Sequence, residues 1–118
     1  MEARAIQRYA RQSSRKMRLV VDLIRGKNVN DAYAILKFNK KLAARQIEKT
    51  LRSAVSNAEQ LAQRDRTTLD VDELYVIKCQ INMGQPLKRF TQAAQGRATP
   101  IRKRTSHVEI YVATKEGR

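Results

Sequence analysis

The sequence has no tryptophan, one cysteine and few aromatic residues, and each scarcity narrows what the protein can be. The single cysteine, Cys79, excludes an internal disulfide and fits a reducing compartment. Aromatic residues make up 5% of the chain, so the core must rest on leucine, isoleucine, valine and alanine. No apolar run reaches the roughly 18 residues of a membrane helix, and the N-terminus lacks the apolar middle of a secretory signal. We therefore expect a cytoplasmic protein without a membrane partner.

Positive charge is abundant and unevenly spread. The 118 residues, which we expect to form one domain (1–118), carry a net charge of +14. Residues 1–27 hold eight basic and two acidic residues, and residues 78–107 hold seven basic and no acidic ones. Thirteen of the fourteen net charges therefore lie in two blocks, and the middle of the chain is close to neutral. Such concentrated blocks predict contact surfaces for a polyanion.

Three segments show the 3.6-residue period of amphipathic helices, over residues 13–27, 29–38 and 40–63. Ser13 or Ser14 can cap the first helix, and Gly26 is a good signal for its end. Asn30 or Asp31 is the expected cap of the second. The predicted buried faces are Met17, Val20, Val21 and Ile24 in the first helix, Ala32, Ile35 and Leu36 in the second, and Ile47, Leu51, Ala54, Val55, Ala58 and Leu61 in the third.

Later in the chain the period changes from 3.6 to 2, which indicates strands. One predicted strand spans residues 75–83, with its apolar register on Tyr75, Ile77, Cys79, Ile81 and Met83. A second alternates through Val108, Ile110 and Val112, and a third is expected over residues 3–11. The predicted fold class is therefore α+β, with three helices packed on a small antiparallel sheet of about three strands.

Residues 86–107, between the two clearest strands, form a basic segment without an acidic residue or an apolar face. The simplest connection is a long antiparallel hairpin, expected over residues 84–102, that protrudes from the sheet. Arms of about ten residues would reach roughly 30 Å. Because an isolated two-stranded ribbon is marginal in water, this one should become ordered only against an anionic partner with a narrow space to enter.

The segments "RQSSRKMRLVVDLIRGK", "SAVSNAE", "LKRF" and "GRATPIRKRTSHVEI" resemble the bacterial L twenty-two family of large-subunit ribosomal proteins, the universal uL twenty-two family. The resemblance implies a structural protein, not an enzyme, that binds 23S rRNA and supports subunit assembly. It also implies a hairpin that lines the peptide exit tunnel. The implied partners are 23S rRNA, neighbouring ribosomal proteins and the nascent peptide, with no cofactor, small-molecule substrate or second copy of the chain.

The family pattern also implies individual site residues. The RNA-binding set is Arg8, Arg11, Arg15, Lys16, Arg18, Lys88, Arg89, Arg97, Arg102, Lys103, Arg104 and His107. The tunnel tip is placed at Leu87, Lys88, Arg89, Phe90, Thr91, Gln92, Ala93 and Ala94, and Gly96 allows the backbone to approach RNA closely. The sequence departs from the family at Ser14, where proline is common. It also departs around Thr91 to Gln95, where the family is often more basic.

Other functions remain as alternatives. The N-terminal cations could be the solvated face of an amphipathic helix. A basic arm with an apolar residue such as Phe90 also suits an architectural DNA-binding protein. An enzyme lacks support, because His107 is the only histidine and Asp70, Asp72 and Glu73 read as a solvated turn rather than a metal site. We expect His107 to hydrogen-bond to backbone or phosphate at the base of the hairpin.

Overall fold

The structure is a computed structural model that describes residues 2–84 and 105–114 and the backbone of residues 87–92 and 98–103. The elements in chain order are β1 (Glu2–Ala10), α1 (Ser14–Ile24), α2 (Val29–Phe38), α3 (Leu42–Arg64), a 3-10 turn (Val71–Glu73), β2 (Leu74–Met83), β3 (Leu87–Gln92), β4 (Ala98–Lys103) and β5 (Ser106–Thr114). This confirms the predicted α+β class. Across the described residues, no helix has the length and apolarity needed to cross a membrane.

The three-stranded sheet has the order β1-β5-β2, and both pairings are antiparallel. The central strand, β5, buries Val108, Ile110 and Val112 as its alternation predicts. Because the three helices pack on this side, the sheet has one buried face and one open face. The opposite side of β5 carries the half-buried His107 and Tyr111.

The predicted helix faces form most of the core. All four predicted residues of α1 are fully buried, and α2 buries Ala32 and Leu36 with Ile35 partly covered. In α3 the predicted face is buried except for Leu61, which packs at the margin. The small side chains of Ala54 and Ala58 lie on the face of α3 that packs against β1 and β5. Alanine at these positions lets the helix and the sheet approach closely.

The helix caps agree with the sequence for α1 and differ for α2. Ser13 caps α1, with its hydroxyl accepting from the Lys16 N–H at 3.4 Å. In α2 the cap is Asn28, not Asn30 or Asp31, and its Oδ1 accepts from the Asn30 N–H at 2.9 Å. Tertiary contacts hold this cap: Asn28 is bridged to Tyr75, and its side-chain amide donates to the Asp72 carbonyl at 2.7 Å.

A β-bulge in β2 changes the predicted apolar register. Val76 pairs with Val112 but the next pair is Lys78 with Tyr111, so Ile77 is an extra residue without a partner. The bulge puts Leu74 and Val76 on the same buried face as Cys79 and Ile81. The prediction was therefore right for Cys79 and Ile81 and wrong for Tyr75, Ile77 and Met83, which do not belong to the core.

Arg18 of α1 and Arg25, the C-cap of that helix, cover the outer edge of β2 near Cys79 and Ile81. The Arg18 guanidinium donates to the Ile81 carbonyl at 3.1 Å, and the Arg25 guanidinium donates to the Cys79 carbonyl at 2.7 Å. These carbonyls lie two residues apart and so point to the same edge of the strand. Because an open edge is a template for pairing with another chain, the two cations protect β2 against edge-to-edge association.

The predicted hairpin extends the β2–β5 pairing away from the sheet. Met83 pairs with Ser106, the Gly84 N–H donates to the Thr105 carbonyl at 3.0 Å, and β3 then pairs with β4. The molecule is elongated, measuring 66 × 28 × 20 Å. Its radius of gyration of 17.6 Å exceeds the roughly 13 Å expected for a compact chain of this length.

The close packing of α3 can be tested with Ala54→Leu. A leucine at this fully buried position overpacks the interface between helix and sheet, so we expect a loss of about 1–3 kcal/mol of unfolding free energy. Ser56→Leu, on the exposed side of the same helix, is the control and should change stability by less than about 0.5 kcal/mol. Equal urea midpoints for the two variants would contradict the packing described here.

Candidate nucleic-acid interface

The base of the hairpin is fastened to the segment that follows β1. Ser106 is fully buried, and its hydroxyl donates to the Gln12 carbonyl at 2.7 Å. Thr105 beside it is also buried, and its carbonyl accepts from Gly84. The two basic blocks of the sequence, far apart along the chain, therefore meet at this strand junction (Gly84, Thr105, Ser106 and Gln12).

His107 holds a second contact at the same place. The backbone N–H of Tyr9 donates to His107 Nδ1 at 3.1 Å, and the two rings meet edge to face with centroids 4.9 Å apart. Tyr9 has a φ of 58°, in the left-handed region, within an irregularity of the β1–β5 pairing. His107 thus makes the backbone hydrogen bond expected of it. Since Nδ1 accepts, a neutral His107 carries its proton on Nε2, where it can donate to a partner.

Four predicted RNA-binding cations gather around this junction: Arg8, Arg11, Arg15 and Lys16. All four are exposed, and among the described residues none of their side chains has a hydrogen-bond or ion-pair partner. They flank the end of β1 and open α1, so their charges face solvent at the end of the molecule where the hairpin departs. Arg18, which was grouped with them, lies on the same helix but donates to the β2 edge.

Other cations of the basic blocks are engaged within the protein. Lys78 Nζ lies 5.4 Å from the centroid of the Tyr111 ring, a cation–π distance. Arg4 interacts with the same residue, and its hydrogen bond with Tyr111 raises the pKa of the Arg4 guanidinium. Arg25 also forms an ion pair with Asp22 at 3.2 Å. The tertiary structure therefore separates cations used for folding from cations available to a ligand, a distinction that composition does not give.

The backbone register of the hairpin places like charges opposite one another. Lys88 pairs directly with Arg102, and Lys103 is their neighbour opposite Leu87. Residues directly opposite in an antiparallel pair share one face, and like charges in this position are destabilising. The backbone register therefore brings three basic positions close together, and their binding of RNA stays a prediction.

The register also locates part of the predicted tip. Leu87 to Gln92 form the arm β3, with Leu87 nearest the three-stranded sheet and Gln92 paired with Ala98. The role of these residues at the tunnel stays a prediction. The other predicted residues, Ala93, Ala94, Gly96, Arg97 and Arg104, lie outside the described part of the chain.

The acidic turn and the cysteine have structural surroundings. Asp70 accepts from the Asp72 N–H at 3.0 Å, and the Asp72 carboxylate accepts from the Asn30 side chain at 2.6 Å. Within the described ranges, no three His, Cys, Asp or Glu residues are placed to hold a metal ion. Cys79 is fully buried and its Sγ–H donates to the Val21 carbonyl at 3.8 Å. Burial raises the pKa of the thiol, which keeps it protonated and unreactive.

The sequence analysis does not name Tyr9, Gly84 or Ser106 as site residues, although all three lie at or beside the strand junction. A glycine between a strand and a charged hairpin is a signal of close approach and could have identified Gly84. A side chain there would meet Thr105 Oγ1 at 2.5 Å and His107 Cε1 at 3.3 Å. The positive φ of Tyr9 and the burial of Ser106 have no sequence signal, because both depend on segments distant in the chain.

Comparison with known proteins places these features in a family. The family model described as "Ribosomal protein L22p/L17e" matches residues 5–113. The chain is 54% identical over 112 residues to the "Large ribosomal subunit protein uL22" of Clostridium novyi, covering 95% of this chain and 96% of the relative. Proteins of the same name from Pelotomaculum thermopropionicum and Geobacter sulfurreducens are 47% and 48% identical over 116 residues. These alignments cover 98% of this chain, with 98% and 100% of the relatives.

The close packing at the junction predicts the effect of Gly84→Ala. The added methyl group overlaps Thr105 Oγ1, so we expect a loss of about 1–3 kcal/mol in urea unfolding. Adding Thr105→Ala removes the overlapping atom. The double variant should therefore lose less unfolding free energy than the sum of the losses of the two single variants. Gly26→Ala is the control, since it has a φ of 77° but no atom within 4 Å and should lose only about 1 kcal/mol of backbone strain. If the losses of unfolding free energy at positions 84 and 105 simply add in the double variant, this account is contradicted.

Proposed function

Because the chain belongs to the ribosomal protein L22p/L17e family, it is a structural, rRNA-binding protein of the large ribosomal subunit, and we propose that the strand junction is its principal RNA anchor. The observation that carries the proposal is that four cations, without a side-chain partner in the described part of the chain, lie beside the base of a cationic ribbon. The strand junction, with Ser106 buried in it, holds the N-terminal segment and the base of the ribbon together. A fixed arrangement of cations recognises the shape of folded RNA better than separate mobile charges do.

The proposed contacts are mainly to phosphate. Arginine can bridge two phosphate oxygens with its planar fork, whereas lysine acts as a point charge. Arg8, Arg11, Arg15 and Lys16 therefore bind 23S rRNA beside the junction, and His107 can add a hydrogen bond through Nε2. Lys88, Arg89, Arg102, Lys103 and the undescribed Arg97 and Arg104 contact RNA along the ribbon. Arg18 contributes only with the part of its guanidinium that Ile81 leaves free.

RNA also completes the folding of the ribbon under this proposal. Ordering a chain costs roughly 1–2 kcal/mol per residue, and a two-stranded ribbon lacks a core to offset that cost. Phosphates placed between Lys88 and Arg102 would turn a repulsive cross-strand pair into a favourable one and release counterions. Binding and ordering of the hairpin are thus coupled, which is how the protein supports assembly of the subunit.

The finer role of the hairpin follows from its shape. The chain acts as one domain (1–118) and as a single copy. Its hairpin passes inward through rRNA and lines the peptide exit tunnel. A ribbon of two strands, with about 4.8 Å between them, fits a narrow passage. Gln92 and Ala98 are the paired positions farthest from the three-stranded sheet, and the proposal puts Gln92 near the nascent peptide.

Family membership decides between the alternatives. The relatives are named as large ribosomal subunit proteins, and the chain covers nearly all of their length. This favours RNA over duplex DNA as the partner of the basic arm. The family is structural rather than enzymatic, which agrees with the structural surroundings of Asp72 and Cys79.

The RNA anchor can be tested with Arg15→Gln combined with Lys16→Gln. Loss of two phosphate contacts should weaken binding to 23S rRNA and lower the slope of log K against log salt by about 1 to 2. The matched control is Lys27→Gln with Arg64→Gln, which removes the same charge at the opposite end of the helices. Filter binding at several salt concentrations makes the comparison. Equal slopes for the two double variants would mean that only net charge matters.

The tunnel role can be tested by photo-crosslinking. A photoreactive amino acid at position 92, at the far end of the β3 arm, should crosslink to a radiolabelled nascent chain in stalled ribosomes. The same group at position 68, before the 3-10 turn, should give no such product. Incorporation of both variants into the large subunit is checked by sedimentation. A nascent-chain product from neither position would remove the tunnel role while leaving the RNA anchor intact.

A further inference from the structure

The turn between α2 and α3, residues 37–42, exposes large apolar side chains. Phe38 is 81% exposed and Leu42 is 62% exposed. The turn is held by its own hydrogen bonds: the Asn39 N–H donates to the Leu36 carbonyl at 3.3 Å, and Asn39 Oδ1 accepts from the Lys41 N–H at 2.9 Å. A fixed turn that presents a phenylalanine to solvent is a candidate contact surface.

The same turn is strongly cationic. Lys37, Lys40 and Lys41 are exposed, and among the described residues none of them has an ion-pair or hydrogen-bond partner for its side chain. No acidic residue occurs between Asp31 and Glu48, whereas Arg45 adds a further positive charge. The net charge of the middle of the chain is therefore close to zero because a later acidic segment offsets the positive charge of the α2–α3 turn.

Helix and strand directions place the α2–α3 turn at the junction end of the molecule. The Thr50 hydroxyl donates to Gln7 Oε1 at 2.9 Å, and the Asn57 side chain donates to the Arg4 carbonyl at 2.8 Å. The helix α3 and the strand β1 therefore run in opposite directions. Leu42 lies eight residues before Thr50, about 12 Å of helix, and this matches the roughly 10 Å from Gln7 to the end of β1.

Four acidic residues lie at the other end. Asp65 is the C-cap of α3, Asp70 caps the 3-10 turn that leads into β2, and Asp72 and Glu73 lie within that turn. They offset cations at the same end, such as Arg64. The α2–α3 turn, the four free cations of the N-terminal block and the hairpin base share the cationic end.

We infer that residues 37–42 form a further RNA-contact surface, in which Phe38 stacks on an unpaired base and Lys37, Lys40 and Lys41 bind the adjacent phosphates. Base stacking on an exposed aromatic ring, with cations beside it, is the usual way in which proteins hold single-stranded RNA. The three free lysines favour RNA over an apolar protein partner, because a protein interface would have to desolvate them. The inference rests on the proposed RNA-binding function and extends it to a surface outside both basic sequence blocks.

The first test replaces Phe38 with a photoreactive phenylalanine in cells and isolates large subunits containing the variant. The expected result is a crosslink from position 38 to 23S rRNA. A crosslink only to another ribosomal protein, or no crosslink in fully incorporated subunits, would overturn the inference. Failure of the variant and the parent chain to sediment with the large subunit would instead challenge the function on which the inference rests.

The second test separates stacking from apolar contact by measuring binding of the full chain to 23S rRNA. Phe38→Tyr keeps an aromatic ring and should bind like the parent, whereas Phe38→Leu keeps apolarity and should bind roughly 5- to 100-fold more weakly. Lys40→Gln with Lys41→Gln should lower the salt slope by about 1 to 2, against the Lys27→Gln, Arg64→Gln control. Parent-like binding by Phe38→Leu would show that stacking does not contribute.

Discussion

The hydrogen bond from the buried Ser106 hydroxyl to the Gln12 carbonyl fixes the strand junction, on which the proposed RNA anchor depends. It joins the start of β5, where the ribbon returns to the sheet, to the segment that leads from β1 into α1. With the pairing of Ala10 with Ser106 and the contact of Tyr9 with His107, it holds the base of the hairpin beside the N-terminal cations. Gly84 contributes by leaving space for Thr105, and His107 contributes by holding the left-handed backbone of Tyr9.

The second constraint is a charge that the fold cannot neutralise within itself. A net charge of +14 opposes compaction, and the structure reduces the cost by using several cations as folding contacts. Arg18 and Arg25 cover the open edge of β2, whereas Lys78 lies over Tyr111. Arg8, Arg11, Arg15 and Lys16 remain exposed at the junction end, and under the proposed function they orient the protein toward rRNA.

The cations of the ribbon differ from those that the fold uses as internal contacts. Its register brings Lys88 opposite Arg102, an arrangement that raises the free energy of the isolated hairpin. Under the proposed function the same pair binds phosphate in a large RNA. The protein would then have a stable core in its helices and sheet and a hairpin stabilised by its partner.

The sequence by itself determined the helices, the strands, the hairpin and the family, because these depend on local periodicity and on contiguous motifs. Met17, Val20, Val21 and Ile24 are buried as their spacing requires, and Val108, Ile110 and Val112 likewise. Only the tertiary structure decided the bulge at Ile77, the cap at Asn28 and the separation of engaged from free cations. It also brought the α2–α3 turn to the junction end. These features depend on contacts between residues distant in the chain, and the order of amino acids in one segment carries no record of its neighbours in space.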